Sequence, residues 1–368
     1  MPVQWPALLP AVQPLRSRRW PWGPDGLACS QTGVPLNHLS YSRAEELLAR
    51  AEGVGVLVVG DLMLDRYVTG SVERISPEAP VPVVLLEQES WALGGAGNVA
   101  ANVVALGAGC EVAGFVGGDP EGRMVREKLL EMGVGARGVL RAEDRPTTVK
   151  TRVMARRQHV TRIDREISSD ISLSQAEKLV EVAGQIVPST QGIVLQDYNK
   201  GVLVPFVIRW CLTAGARHSL PTVVDPKRRR FFEFAGATLF KPNARELEDA
   251  LGAGLQPDDP SWMEDVRKRL GCGTLLLTLG EKGMAAHSEQ GGYLRVPTLA
   301  REVYDVSGAG DTVTAVMAVV MAAGGTVMEA AVLANHAAAV EVGKAGVATV
   351  SPAEILTRFR TSTAKKRS

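Results

Sequence analysis

DVSGAGDTVTAVMAVVMAAG, residues 305–324, sets two glycines and an acidic residue directly ahead of a run of small apolar side chains. Gly308 and Gly310, with Ala309 between them, let backbone N–H groups approach an anion closely, and the helix that starts there adds its positive dipole end. Asp311 falls in the first turn of that helix. A carboxylate at this place favours the dipole on structural grounds alone. Under a bound phosphoryl group it would also be placed to take the proton of an attacking hydroxyl.

Upstream, the chain alternates helix and strand signals. Residues 42–51 read as a helix, and GVGVLVVG at 53–60 is a short, continuously apolar run that suits a strand buried on both faces. A helix is expected at 96–106, with further apolar strands at 111–116, 192–195, 222–224 and 274–279 and helices at 173–186 and 205–214. This alternation predicts an α/β protein with a mainly parallel sheet covered on both faces. Two stretches break the rhythm, 65–89 and 146–164, and read as extended chain that forms a small sheet of its own.

The first 40 residues hold seven of the 21 prolines and three of the six tryptophans, without helical or strand period. They read as a disordered leader or a start codon placed too early, since the prolines interrupt any secretory apolar region and Arg16, Arg18 and Arg19 follow it. Residues 363–368 form a basic tail.

With 41 Lys+Arg against 40 Asp+Glu, 45% hydrophobic residues and 22% charged, the 368-residue chain is neither disordered nor built for a nucleic acid or an anionic membrane. The longest mostly apolar stretch, 313–323, falls short of the roughly 20 residues that cross a bilayer. Four scattered cysteines without C-x-x-C spacing suit buried thiols in a reducing cytoplasm.

Other motifs carry two readings each. LGGAGNVA at 93–100 puts Gly94 and Gly95 before a helix, as a tight turn or as a close approach to ligand, and Asn98 could hold a small polyol. Neither glycine loop is a P-loop or a dinucleotide fingerprint. Asp61 and Asp65 follow the first apolar strand at its carboxyl end, where ligands of open α/β sheets lie. Asp61 could accept from sugar hydroxyls, and Asp65 could equally cap a turn. In KPNARE, Asn243 and Glu246 fit a capping box, or could orient the waters of a magnesium ion. Lys150, Arg152 and Arg156 share one strand face, either solubilising or suited to a phosphate-bearing substrate.

Taken together, LGGAGNVAANVVALGA at 93–108, N-x-x-E at 243–246 and DVSGAGDTVTAVM at 305–317 make the chain from about Ala44 to Arg360 resemble the ribokinase-like (PfkB) carbohydrate kinases. Within them, ISPEAPVPV at 75–83, the 150–164 run, QDYNKG at 196–201 and VVDPK at 223–227 are similar to the kinase part of heptose-phosphate kinase/adenylyltransferases. The resemblance implies a three-layer α/β fold over residues 41–362 with a β lid from 65–89 and 146–164, often shared across a homodimer. It implies transfer of the γ-phosphoryl of ATP to the anomeric hydroxyl of D-glycero-β-D-manno-heptose 7-phosphate, with Mg²⁺ as cofactor, on the way to ADP-heptose for lipopolysaccharide.

By the same resemblance, Asp311 is the base and Gly308, Ala309 and Gly310 form the anion hole. Asp61, Asp65, Gly94, Gly95, Asn98, Lys150, Arg152 and Asp197 serve the sugar phosphate. Asn243 and Glu246 organise Mg²⁺, and Thr278, Gly280, Gly283 and Asn335 follow the nucleotide. Asp305 corresponds to a region that binds a monovalent cation in relatives, which leaves K⁺ open. Gln196 departs from the small Ser expected before Asp197. The chain has no H-x-G-H motif, which assigns adenylyl transfer to a separate protein. Two alternatives stand beside this: another sugar, sugar-phosphate or nucleoside kinase of the family, and a non-catalytic sugar-binding regulator.

Overall fold

Every residue from Val56 to Val59 is apolar because the strand they form is covered on both sides. The structure is a computed structural model and describes residues 39–155, 158–300, 304, 307–344 and 346–364. All but the last two residues of the expected leader and most of the basic tail lie outside them.

In chain order the described strands are β1 (Gly55–Gly60), β2 (Leu62–Ile75), β3 (Pro82–Gly95), β4 (Gly109–Gly117), β5 (Gly135–Ala142), β6 (Thr148–Ala155), β7 (Gln158–Arg165), β8 (Gly192–Gln196), β9 (Thr222–Asp225), β10 (Leu239–Phe240), β11 (Thr274–Thr278), β12 (Met284–Ser288) and β13 (Gly292–Val296). The helices are α1 (Tyr41–Ala49), α2 (Ala96–Ala105), α3 (Pro120–Glu131), α4 (Leu173–Ile186), α5 (Pro205–His218), α6 (Ala244–Leu251), α7 (Pro260–Leu270), α8 (Ala309–Ala322), α9 (Val327–Glu341) and α10 (Pro352–Ala364).

Nine strands form the main sheet in the order β13-β12-β11-β10-β9-β8-β1-β4-β5. It is parallel from β11 to β5, and β12 and β13 add an antiparallel edge. Strand alternation sends Val56, Val58, Val194, Val223 and Leu239 to one face, where α2, α8 and α9 cover them. Leu57, Val59, Leu195, Val224 and Phe240 go to the other, under α4, α5 and α7. The α/β architecture expected from the sequence is therefore present, with three layers.

Both extended stretches become strands of a second sheet, ordered β3-β2-β6-β7. β2 begins one residue after Asp61, and β3 ends at Gly95, immediately before α2. The first expected helix stops earlier than its pattern suggested, at Ala49, and continues as a 3₁₀ turn over Arg50–Gly53. No helix among the described residues is long and apolar enough to cross a membrane.

Candidate active site

The alternation that fills the core also lines up a polar row. At the carboxyl ends of β1, β8 and β9, Gly60, Gln196 and Asp225 are register partners, and Lys241 follows β10 beside them. They lie on the face covered by α8. The row straddles the point where the chain order reverses about β1, the place where open α/β sheets bind ligands.

Asp311 comes down onto this row from the first turn of α8 and is only 5% exposed. Asn98 Nδ2 donates to its Oδ2 at 2.7 Å; Gln196 Nε2 and the Tyr198 hydroxyl donate to its Oδ1 at 2.9 and 3.0 Å. Burial, and then the charge of Asp225, push the Asp311 carboxyl up to about 6, against the pull of Asn98, Tyr198 and Lys241. Burial would raise Asp225 as well, but the Lys241 ammonium at 3.0 Å and then Lys227 hold it below the usual carboxylate range. The two carboxylates thus titrate apart, one set low by cations and one set high enough to exchange a proton near neutrality. Burial and Asp311 raise Tyr198 well above the usual phenol range, so it remains a donor.

The glycine loop opens α8 beside the Asp311 carboxylate. Gly308 has φ +97° and caps α8, and a Cβ there would meet Asn98 Nδ2 at 3.1 Å. A Cβ on Gly310 would lie 3.7 Å from Lys241 Nζ, which puts an ammonium against the same backbone. A helix N-terminus, bare backbone and a buried lysine together fit a nucleotide phosphate.

The model of the pfkB family carbohydrate kinases matches residues 55–354. The chain belongs to that family. Among curated relatives, bifunctional protein HldE of Geotalea uraniireducens (strain Rf4) is 44% identical over 314 residues, 85% of this chain and 64% of its own length. That of Pelobacter propionicus (strain DSM 2379) is 45% identical over 318 residues, again 85% and 64%. The chain thus spans just under two thirds of these relatives. Among solved structures, the fold is similar to Arabidopsis thaliana ribokinase complexed with ribose and ATP (TM-score 0.66, 21% identity, 83% of this chain and 99% of that one). It is also similar to phosphofructokinase-2 from Escherichia coli in complex with potassium (TM-score 0.69, 17% identity, 84% and 99%).

Within this kinase several expected ligand residues face protein groups. Asp61 Oδ2 accepts the N–H groups of Tyr198 and Lys200 at 2.7 and 3.0 Å, and Oδ1 accepts that of Val202 at 3.2 Å. With 1% exposure, its carboxylate holds the 198–202 loop through these bonds. Burial raises Asp61 despite those bonds. Asp197 caps the same loop through Asn199 N–H at 2.7 Å and is pushed up to about 6 by burial and then by Asp61. Asn98 is likewise turned to Asp311, with its Oδ1 accepting from Asn102 at 3.3 Å. Gly95 (φ +58°) must be bare, because a Cβ would come within 2.4 Å of Asp61 O, and one on Gly94 would crowd Asp65 Oδ2 at 2.7 Å.

The cationic face carries its own counter-ions. Arg152 pairs with Asp65, while Lys150 lies 3.5 Å from Asp164 and 3.3 Å from Glu166, so neither is an unopposed charge. Arg156 lies outside the described residues, as does Asp305.

Asn243 and Glu246 form the capping box of α6, each side chain bonding the other's backbone N–H at 2.8 and 2.9 Å. Glu246 Oε1 takes Lys227 as its counter-ion. Thr278 binds Pro242 O beside this cap, whereas Gly283 (φ +83°) and Asn335 both converge on residues 296–298, Asn335 Nδ2 donating to Pro297 O at 2.9 Å. Gly280 (φ +58°) opens the turn between these two groups. Gln196 stands out in the sequence only as a departure from an expected Ser, and Tyr198, Asp225, Lys227 and Lys241 are not singled out there. Their signal is a polar side chain at or just after the end of an apolar strand, in QDYNKG, VVDPK and KPN.

Proposed function

We propose that this kinase phosphorylates the anomeric hydroxyl of D-glycero-β-D-manno-heptose 7-phosphate with ATP, giving the 1,7-bisphosphate. The observation that carries the reading is Asp311, buried at the anion-binding end of α8 with its carboxyl near neutrality. Its heptose specificity rests on the sequence resemblance, supported by relatives named HldE at 41–45% identity.

In the proposed step the sugar oxygen bonds to the γ-phosphorus, the bond from that phosphorus to the β,γ-bridging oxygen breaks, and ADP leaves. The hydroxyl proton passes to Asp311. Gly308–Gly310 and Lys241 bear the negative charge of the transferring group. Asn243 and Glu246 would hold the water shell of Mg²⁺, which when bound neutralises phosphate charge. Asp305 is proposed for a monovalent cation, and the cytoplasm as the compartment. An ATP-consumption assay across sugars tests the reading: turnover of the heptose 7-phosphate above that of ribose, fructose or fructose 6-phosphate supports it, and the reverse order sinks it.

The second sheet is proposed as a homodimer contact. Ile75, Leu86 and Ile163 are each 59% exposed on it, an apolar surface that association would cover. Light scattering should return twice the chain mass for the native protein and a single chain mass for Leu86→Glu; a monomeric native protein refutes the contact.

A further inference from the structure

Gln196 stands at the centre of the polar row with 0% exposure. Its Nε2 donates to Asp311 Oδ1 at 2.9 Å and to Asp225 Oδ2 at 3.1 Å, so the two N–H groups of one amide join the two buried carboxylates. Its Oε1 is buried without a hydrogen-bond partner among the described residues. The reverse amide orientation would turn that oxygen onto two carboxylates, so electrostatics fixes the one seen. Gly60, its register partner on β1, is bare because the two strands approach closely there: a Cβ would overlap the Gln196 carbonyl and press on Gln196 Cβ at 3.0 Å. An unsatisfied buried acceptor is a standing cost, and what it secures is the bridge.

We propose that Gln196 is a positioning residue for the phosphoryl-transfer base: it fixes the Oδ1 edge of Asp311 against Asp225 and so leaves Oδ2, shared with Asn98, to receive the hydroxyl proton. A carboxylate has about four lone-pair sites. On Oδ1 both are filled, by Gln196 and Tyr198, while Oδ2 carries one donor among the described residues. Other charged or titratable groups facing Asp311 are Tyr198 from the loop after β8, Asp225 from β9, and Lys241 after β10, with Lys227 acting from behind Asp225. Gln196 differs from them in being neutral at every pH, so it can steady both carboxylates without competing for the proton.

This inference rests on Asp311 being the base of the proposed reaction, and its test has an arm that needs no substrate. In protein labelled with ¹³C at the Asp carboxyl carbons, with the Asp311 resonance assigned by its loss in Asp311→Asn, Gln196→Met should raise the Asp311 midpoint by about one pH unit, because a similar volume returns without the donor. Gln196→Ser, smaller and easier to fold around, should shift it in the same direction. With MgATP and the heptose 7-phosphate, the acid limb of the kcat profile should move by the same amount while KM stays within about twofold. Unchanged midpoints and limbs in both variants, with only a lower Tm, would make Gln196 a packing residue and overturn the proposal. A shifted midpoint in an enzyme that ignores the heptose phosphate would uphold the positioning role and refute the substrate.

Discussion

Replacing Asp311 with Asn lowers kcat by about 10²–10⁴-fold with little change in KM, since the shape is kept and only the proton acceptor goes. Native activity should fall as pH drops through about 6, the value to which burial and Asp225 lift the carboxyl. Stability supplies a second readout. Asp311 binds its proton more tightly folded than unfolded, so its contribution is fully present below the ordinary carboxylate pKa and is lost as pH rises through about 6. From 3.8 to about 6 this amounts to about 3 kcal/mol. Melting curves at pH 4 and pH 7 should therefore show the variant gaining on the native protein as pH rises. Near-native kcat, or a constant difference in Tm, would remove Asp311 from the role of base.

Lys241→Met should be the most destabilising single change in the row. Lys241 is 3% exposed and pairs with Asp225, itself buried, so its loss strands a charge at a cost of about 3–5 kcal/mol. Lys227, 3.9 Å from Asp225, places the effect at the lower end. Asp225 is held below the usual carboxylate range in the native protein, so the pair keeps its stability well into acid. In the variant, burial lifts the stranded Asp225, which takes up a proton as pH falls. Urea unfolding should accordingly show a large deficit at pH 7 that narrows towards pH 4. Activity should drop by about 10²-fold as well, because the same ammonium faces the Gly310 backbone. Lys268→Met, which breaks an exposed helix-surface pair with Glu264, is the control and should melt with the native protein.

The central strands were legible because burial on both faces leaves an unbroken apolar run, and α4 because its apolar period is regular, to the residue at both ends. The edge was not. β12 reads MAAHS and β5 GARGVLRA, with few branched or aromatic side chains, and pairing with a neighbour rather than local preference makes them strands. The glycine loop and Asp311 could be found because they are adjacent in sequence. The ion pairs of Lys150 and Arg152 could not, since they depend on register: Lys150 lies opposite Asp164 on β7, and Arg152 reaches Asp65 on β2. Likewise the role of Gln196 appears only when β8, β9 and α8 are brought together.

Leu62 and Gly95 are register partners, so the excursion formed by β2 and β3 leaves the main body and re-enters it at one point. A segment whose ends are already joined costs little more when it grows, because closure entropy rises only with the logarithm of length. Its strands can be lengthened, shortened or rewritten while the row from Gly60 to Lys241 stays in place. The excursion and the row are thereby inherited as separable parts of one gene, and a lineage can change the first without putting the second at risk.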